Sequence, residues 1–309
     1  MDDKLKRALE AFYGEWSEIP EISEDMIRKQ HAVNTQNCKH ALKHFHKKDR
    51  KLEVLVIHGS PRSAISCPQE LSNSQALLRY GMEAIPPHAN VEEVNLRDYN
   101  ISPCNGCVSS TSALCNFPCS CFPFDPMQKL YPKVLKCDVL LISTGVNQSM
   151  VSTRLKAFLD RLISLDGGYF IEPEQMGYKT PEFKARAVEI SKNGAGEYNQ
   201  RMFGRVAAYF ISSKDQDNPM PPTGWNYGKT VAEALYHSNA DYGIHHAEPY
   251  YVIAASNPFE DYSHDKYRLH KNKEAQDKAK EVVLKALELA KKFRKEGYPE
   301  FKPGRYNRT

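Results

Sequence analysis

Five short apolar runs, each separated from the next by a longer stretch that contains helical periodicity, constrain this chain more than any other feature. They are LEVLVIHGS (52–60), VEEVNL (91–96), DVLLIST (138–144), RVAAYFISS (205–213) and PYYVIAA (249–255). Between and after them lie SNSQALLRYGMEA (72–84), which starts on a Ser/Asn cap, and STRLKAFLDRLISL (152–165). YGKTVAEALYHSN (227–239) and EAQDKAKEVVLKALELAKKFRKE (274–296) follow. In the second of these, Leu155, Phe158, Leu159 and Leu162 fall on one helix face. Apolar strands separated by helices form a parallel sheet covered on both faces. Five of them in this alternation predict an α/β fold, a doubly wound five-stranded parallel sheet of order 2-1-3-4-5.

Three segments stand outside that alternation. Residues 1–50 read as a highly charged, N-terminal helical extension. Within the 51–296 domain, residues 166–204 are rich in Gly, Tyr and Glu and read as a lid or interface insertion. Residues 256–272 form a polar connection, and 297–309 a C-terminal tail. The 41% hydrophobic and 26% charged content is that of an ordinary globular chain. A net charge of +4 with intermingled signs argues against a nucleic-acid partner. The start MDDKLKRALEAFYGEW lacks the apolar core of a leader, and runs such as VLLI (139–142) are far too short to span a bilayer. The expectation is a cytoplasmic protein with no membrane partner, in a reducing compartment that disfavours structural disulfides.

The turn IHGSPRSAISCPQELSNSQALL (57–78) joins the first strand to the first helix of the sheet. It has neither a Walker loop nor a GxGxxG turn, since only Gly59 is available. It offers the hydroxyls of Ser60, Ser72 and Ser74, the guanidinium of Arg62, the amide of Asn73 and the N–H groups of a helix start. Those groups suit a phosphate monoester; the alternative is a plain Ser/Asn cap with an incidental Arg.

GSPR…SNS after the first strand resembles the FMN-phosphate loop of the NADPH-dependent FMN reductase family, whose fold is flavodoxin-like. NLRDYNISPCNGC (95–107) is similar to that family's second strand running into a Pro-Cys-x-x-Cys loop. DPMQKLYPKVLKCDVLLISTGVNQSMVSTRLKAFLDRL (125–162) is similar to its helix, third strand, flavin loop and following helix. The resemblance implies that residues 51–296 are a flavodoxin-like FMN-binding domain. By position, Ser60, Arg62, Ser72, Asn73 and Ser74 would hold the FMN phosphate. Thr144, Gly145, Val146, Asn147 and Ser149 would border the isoalloxazine ring, with backbone N–H groups of that loop stabilising negative charge on it. It also implies a homodimer or homotetramer in which neighbours complete each flavin site.

Five of eight cysteines crowd into PCNGCVSSTSALCNFPCSC (103–121), spaced C-x2-C-x7-C-x3-C-x-C. This loop resembles that of the iron–sulfur flavoproteins, whose compact pattern leaves two residues between the second and third Cys where seven stand here. Three readings stay open. Cys104, Cys107, Cys115 and Cys119 could ligate a [4Fe–4S] cluster, with Cys121 spare; four of the thiols could hold zinc, though only one CxxC pair is present; or they are reduced thiols or, for Cys104 and Cys107, a redox pair. His40 and His44 share a helix face near Cys38 without an acidic partner, and read as a solvated basic face. His245 and His246 are adjacent and point opposite ways if extended.

The function expected is an FMN-binding oxidoreductase, with NAD(P)H as co-substrate, that reduces a flavin, a quinone or a similar acceptor. Its partner is a small-molecule or protein electron acceptor. The alternative is an iron–sulfur flavoprotein that carries electrons without oxidising NAD(P)H. No side chain is singled out as catalytic, because the redox chemistry belongs to the cofactor.

Overall fold

Strands made of β-branched and leucine residues with no polar face must be covered on both sides, and the chain satisfies that demand with helices. The structure, a computed structural model, describes residues 24–62, 72–106, 115, 117–119, 121–166, 201–213, 226–255 and 269–299. Residues 63–71, Cys107, 167–200 of the insertion, 256–268 and 300–309 lie outside the described residues. Two compact units emerge: Met1–Lys43 with Asn100–Leu135 and Leu159–Arg201, and His44–Tyr99 with Lys136–Phe158 and Met202–Thr309.

The described elements are α1 (Glu24–Phe45), β1 (Glu53–His58), α2 (Asn73–Met82), β2 (Asn90–Asn95), a 3-10 turn (Leu96–Asp98), α3 (Met127–Lys136), β3 (Val139–Gly145), α4 (Thr153–Arg161), α5 (Ile163–Asp166), β4 (Val206–Ser213), α6 (Tyr227–Asp241), β5 (Tyr251–Ala255) and α7 (Lys273–Glu296). The five strands form one parallel sheet ordered β2-β1-β3-β4-β5, as the alternation predicts. This is the flavodoxin-like doubly wound topology. β2 is an edge strand and carries exposed polar residues, whereas β1 is buried along its whole length.

The period of two decides which helices each side chain meets. Leu52, Val54 and Val56 of the first strand region join Val139, Leu141, Val206, Ala208, Phe210 and Val252 in one core with α2 and α7 residues such as Leu77, Leu78, Val283 and Leu287. Their neighbours Leu55, Ile57, Leu140, Ile142, Tyr209 and Ile211 are equally buried. On that side the Tyr209 phenol donates to the Leu235 carbonyl of α6 at 3.1 Å. Gly81 lets α2 and α7 approach closely: a Cβ there would sit 3.0 Å from the Ala279 carbonyl oxygen and 2.9 Å from Phe210.

The other unit is stitched by side chains to backbone. His31 of α1 meets the Pro118 carbonyl at 3.0 Å, and Asn34 donates to the Pro123 carbonyl at 2.7 Å. Gln128 of α3 donates to the Cys119 and Phe122 carbonyls at 2.6 and 2.8 Å. Arg161, 1% exposed, lies 4.3 Å from the Phe122 ring centroid and 3.4 Å from the Asp125 carboxylate, and donates to the Ser102 carbonyl.

Candidate functional site

The C-terminal ends of β1 and β3 carry both loops that the sequence singles out. In an open parallel sheet these ends face the crevice where ligands bind, and β1/β3 is the point where strand order reverses. At the β1 end, the Ser60 hydroxyl accepts from the Arg62 N–H at 3.3 Å. Ser72 is the N-cap of α2: its hydroxyl accepts from the Gln75 N–H at 3.2 Å and its carbonyl from the Ala76 N–H at 3.0 Å. The N–H groups of Asn73 and Ser74 make no hydrogen bond among the described residues. They are the donors a helix start offers to an anion. Asn73 is half-buried, while the Ser74 hydroxyl is fully buried against that of Ser72 at 3.2 Å. Ser72 and Ser74 thus shape the helix start, while its Asn73 and Ser74 amides stay unspent among the described residues.

At the β3 end, the chain turns on two left-handed residues, Gln148 (φ 49°) and Ser149 (φ 63°). The turn is closed by Asn147 and Met150, each donating its N–H to the other's carbonyl at 2.8 and 3.0 Å. Val146 donates to the Ser212 carbonyl at 3.0 Å. The N–H groups of Val146 and Asn147 are therefore spent within the protein. Those of Gln148 and Ser149 make no hydrogen bond among the described residues and stand as the loop's unspent donors. Thr144 is fully buried, with its hydroxyl donating to the Gly145 carbonyl and accepting from the Ser152 N–H. Asn147 is exposed; Gly145, Val146 and Ser149 are half-exposed.

Several residues that the sequence reading did not single out bind these two loops together. Ser152, buried, caps α4 through Leu155 and donates its hydroxyl to the Gly59 carbonyl. Gly59 donates to the Ser143 carbonyl at 2.8 Å, an approach too close for a Cβ, which would lie 2.9 Å from that oxygen. Arg97 donates to the Arg62 carbonyl at 2.6 Å and fixes the loop from the β2 side. The His58 ring, 1% exposed, meets the Ser143 hydroxyl at 3.2 Å and the Glu93 carboxylate at 3.0 Å. Burial pulls its pKa below the ordinary value, against the raising effect of Glu93.

Residues 52–192 match the family model described as NADPH-dependent FMN reductase. The matched segment is under half of the chain. An iron-sulfur flavoprotein of Methanocaldococcus jannaschii is 28% identical over 147 residues, 47% of this chain. The chain spans 66% of that relative's length, just under two thirds. Among solved structures, RosB with bound 8-demethyl-8-formylriboflavin-5'-phosphate shares the fold, with a TM-score of 0.54 over 80% of this chain and 82% of that one at 12% identity. An FMN-dependent NADH-azoreductase from Bacillus anthracis gives 0.44 over 75% and 99% at 14% identity. The FMN reductase match holds β1, β3 and both loops of the strand-end site, and it ends before β4.

The same family segment contains the cysteine loop, which lies in the other compact unit. Cys115 and Cys119 are buried; Cys104 and Cys121 are half-buried. The Cys121 thiol hydrogen-bonded to Cys119, opposed by burial and helped by the Arg161 guanidinium, brings the Cys119 pKa down to about 6. Cys38 and Cys137 are pushed up to about 12 by burial and behave as core thiols. Among the described residues, no three His, Cys, Asp or Glu side chains gather to hold a metal ion. Cys104, Cys115 and Cys119 therefore do not converge as a ligand group without Cys107, which lies outside the described residues. His40 bonds to Gln36 and His44 to Glu53, each with a non-metal partner. His245 packs on Phe203 and Phe293, His246 on Tyr209, Tyr236 and Tyr250.

Proposed function

We propose that this chain is an FMN-dependent oxidoreductase that uses NAD(P)H to reduce a flavin, a quinone or a similar acceptor. The observation that carries the reading is the pair of strand-end loops at the β1/β3 switch point, pinned together by Ser152 and Gly59 and each presenting unspent backbone N–H groups. Such donors are fixed before any ligand arrives, so binding does not have to reorganise them. The β1 loop fits a phosphate: Arg62 supplies a charge, the Ser60 hydroxyl and the Asn73 amide supply hydrogen bonds, and the Asn73 and Ser74 amides supply the positive end of a ten-residue helix. The β3 loop fits the polar edge of a flat ring, to which the Gln148 and Ser149 amides would donate. FMN, when bound, supplies hydride and single-electron chemistry. The chain's own part is to hold the phosphate, orient the ring, and favour negative charge at the ring edge.

Anaerobic addition of NADPH or NADH to the FMN-loaded protein tests the reading. Bleaching of the yellow flavin colour is the expected result. A protein that binds FMN yet stays oxidised with both nucleotides rejects the NAD(P)H assignment.

A second reading, an electron carrier with a cysteine-bound iron–sulfur cluster, draws on the M. jannaschii relative and on the readily ionised Cys119 thiol. Iron and acid-labile sulfide analysis of anaerobically purified protein separates the two readings. About four irons per chain, lost in Cys115→Ala while FMN stays bound, supports the carrier; iron-free protein that turns over NAD(P)H supports the reductase. We infer further a homodimer or larger assembly, to be measured by light scattering at micromolar concentration; a monomeric mass contradicts it.

A further inference from the structure

Two loops of one cofactor site are joined beneath the surface by a single imidazole. His58 is the last residue of β1, and the next four residues form the described part of the phosphate loop. Ser143 is the residue before Thr144, where the ring-side loop begins. The His58 ring spans from β2 to β3, with Nε2 3.0 Å from the Glu93 carboxylate and Nδ1 3.2 Å from the Ser143 hydroxyl. The strand pairing also links its backbone position to the first turn of α2. His58 is in register with Asn95, whose side-chain oxygen accepts from Gln75 of that turn at 3.2 Å.

We propose that the Glu93–His58–Ser143 chain couples the phosphate end of the flavin site to its ring end, with His58 as a proton-dependent positioning residue for both loops. The inference rests on the FMN reading above. A carboxylate only accepts, so Nε2 carries a hydrogen toward Glu93 in either charge state. In the neutral ring Nδ1 accepts, and the Ser143 hydroxyl must donate to it. When the ring gains a proton, Nδ1 becomes a donor and the Ser143 hydroxyl has to turn round and accept. One proton therefore reorients a hydroxyl that adjoins the ring-side loop.

The charged groups facing the imidazole are Glu93 from β2, Arg79 from α2 and Arg97 from the turn after β2; β3 contributes only the uncharged Ser143. Glu93 also lies 3.8 Å from Arg79. Burial disfavours the protonated ring in the ligand-free protein. A phosphate dianion held by the loop that follows His58 adds negative charge near the ring and favours the protonated form. FMN binding then takes up a proton, and affinity rises as pH falls through the window between the free and bound His58 values. The phosphate's own second ionisation near pH 6 pulls the other way. The comparison that isolates His58 is thus wild type against His58→Gln, which keeps a donor for Glu93 and cannot titrate.

FMN and riboflavin are titrated by flavin fluorescence into both proteins between about pH 5 and pH 8. The wild-type FMN affinity divided by that of His58→Gln is expected to rise roughly tenfold on acidification, the gain that follows when the phosphate raises the proton affinity of His58 about tenfold. The same ratio for riboflavin is expected to stay flat. A flat ratio for FMN overturns the coupling while leaving the FMN reading intact; absence of FMN binding by wild type overturns both. Should His58→Gln fail to fold, NMR titration of the His58 imidazole in wild type decides the same question. An upward shift with FMN and none with riboflavin supports the proposal, and equal values overturn it.

Discussion

Arg62 is held by its backbone on two sides, its N–H on Ser60 and its carbonyl on Arg97, so its guanidinium starts from a fixed point. Replacing it removes a charge-assisted bond to phosphate worth about 1.5–3 kcal/mol. Arg62→Ala should weaken FMN binding by roughly 10- to 150-fold and leave riboflavin nearly unchanged, as measured by fluorescence titration. Equal FMN affinity in both proteins contradicts the phosphate role. Ser149 carries a second residue-scale prediction, because a left-handed backbone is costly for a β-branched side chain. Ser149→Val should lose about 1–2 kcal/mol in urea unfolding, and Ser149→Gly should not. The residues proposed for the phosphate run together in Gly59–Arg62 and Ser72–Ser74, so a local pattern brings them to notice. His58, Glu93, Ser143 and Ser152 do not run together. They meet across strands, 35 to 93 positions apart, and no local pattern marks such a meeting. Arg161 and Asp125 likewise meet only in the folded chain.

At the scale of elements, all five strands stand within two residues of where their apolar runs place them. Burial on both faces leaves a signal that survives without tertiary context. The stretch 152–165 reads as one helix, yet it breaks at Leu162 into α4 and α5. Leu162 and Leu165 donate to carbonyls three residues back, and the Ser164 hydroxyl bonds the Arg161 carbonyl. Side-chain periodicity is blind to that tightening, since Leu155, Phe158, Leu159 and Leu162 stay buried throughout. The α2–α7 contact offers a test of packing. Gly81→Leu places a side chain against the Ala279 carbonyl, which belongs to helix backbone and cannot retreat. The expected loss is about 1–3 kcal/mol in urea unfolding, exceeding any gain from replacing a helical glycine.

Over the whole molecule, the chain divides its chemistry between two compact units, one holding the sheet and its strand-end loops, the other the cysteine loop. Acid should loosen the sheet unit through His246, which burial holds at about 4 beside the Tyr209 phenol. Its folded value lies below the unfolded one, so the stability it contributes is complete above pH ~6.5 and is lost as pH falls toward 4. Wild type should lose up to about 3 kcal/mol over that window through this group, and His246→Gln should lose less, as read from urea unfolding at several pH values. No described helix is long and apolar enough to cross a membrane. The function stands or falls on whether the strand-end loops hold a flavin mononucleotide. The direct measurement is release and quantification of flavin from the purified, FMN-saturated and desalted protein. About one FMN per chain, with a yellow spectrum that Arg62→Ala loses on desalting, is the result predicted. A colourless protein that neither retains FMN nor quenches its fluorescence contradicts the central claim.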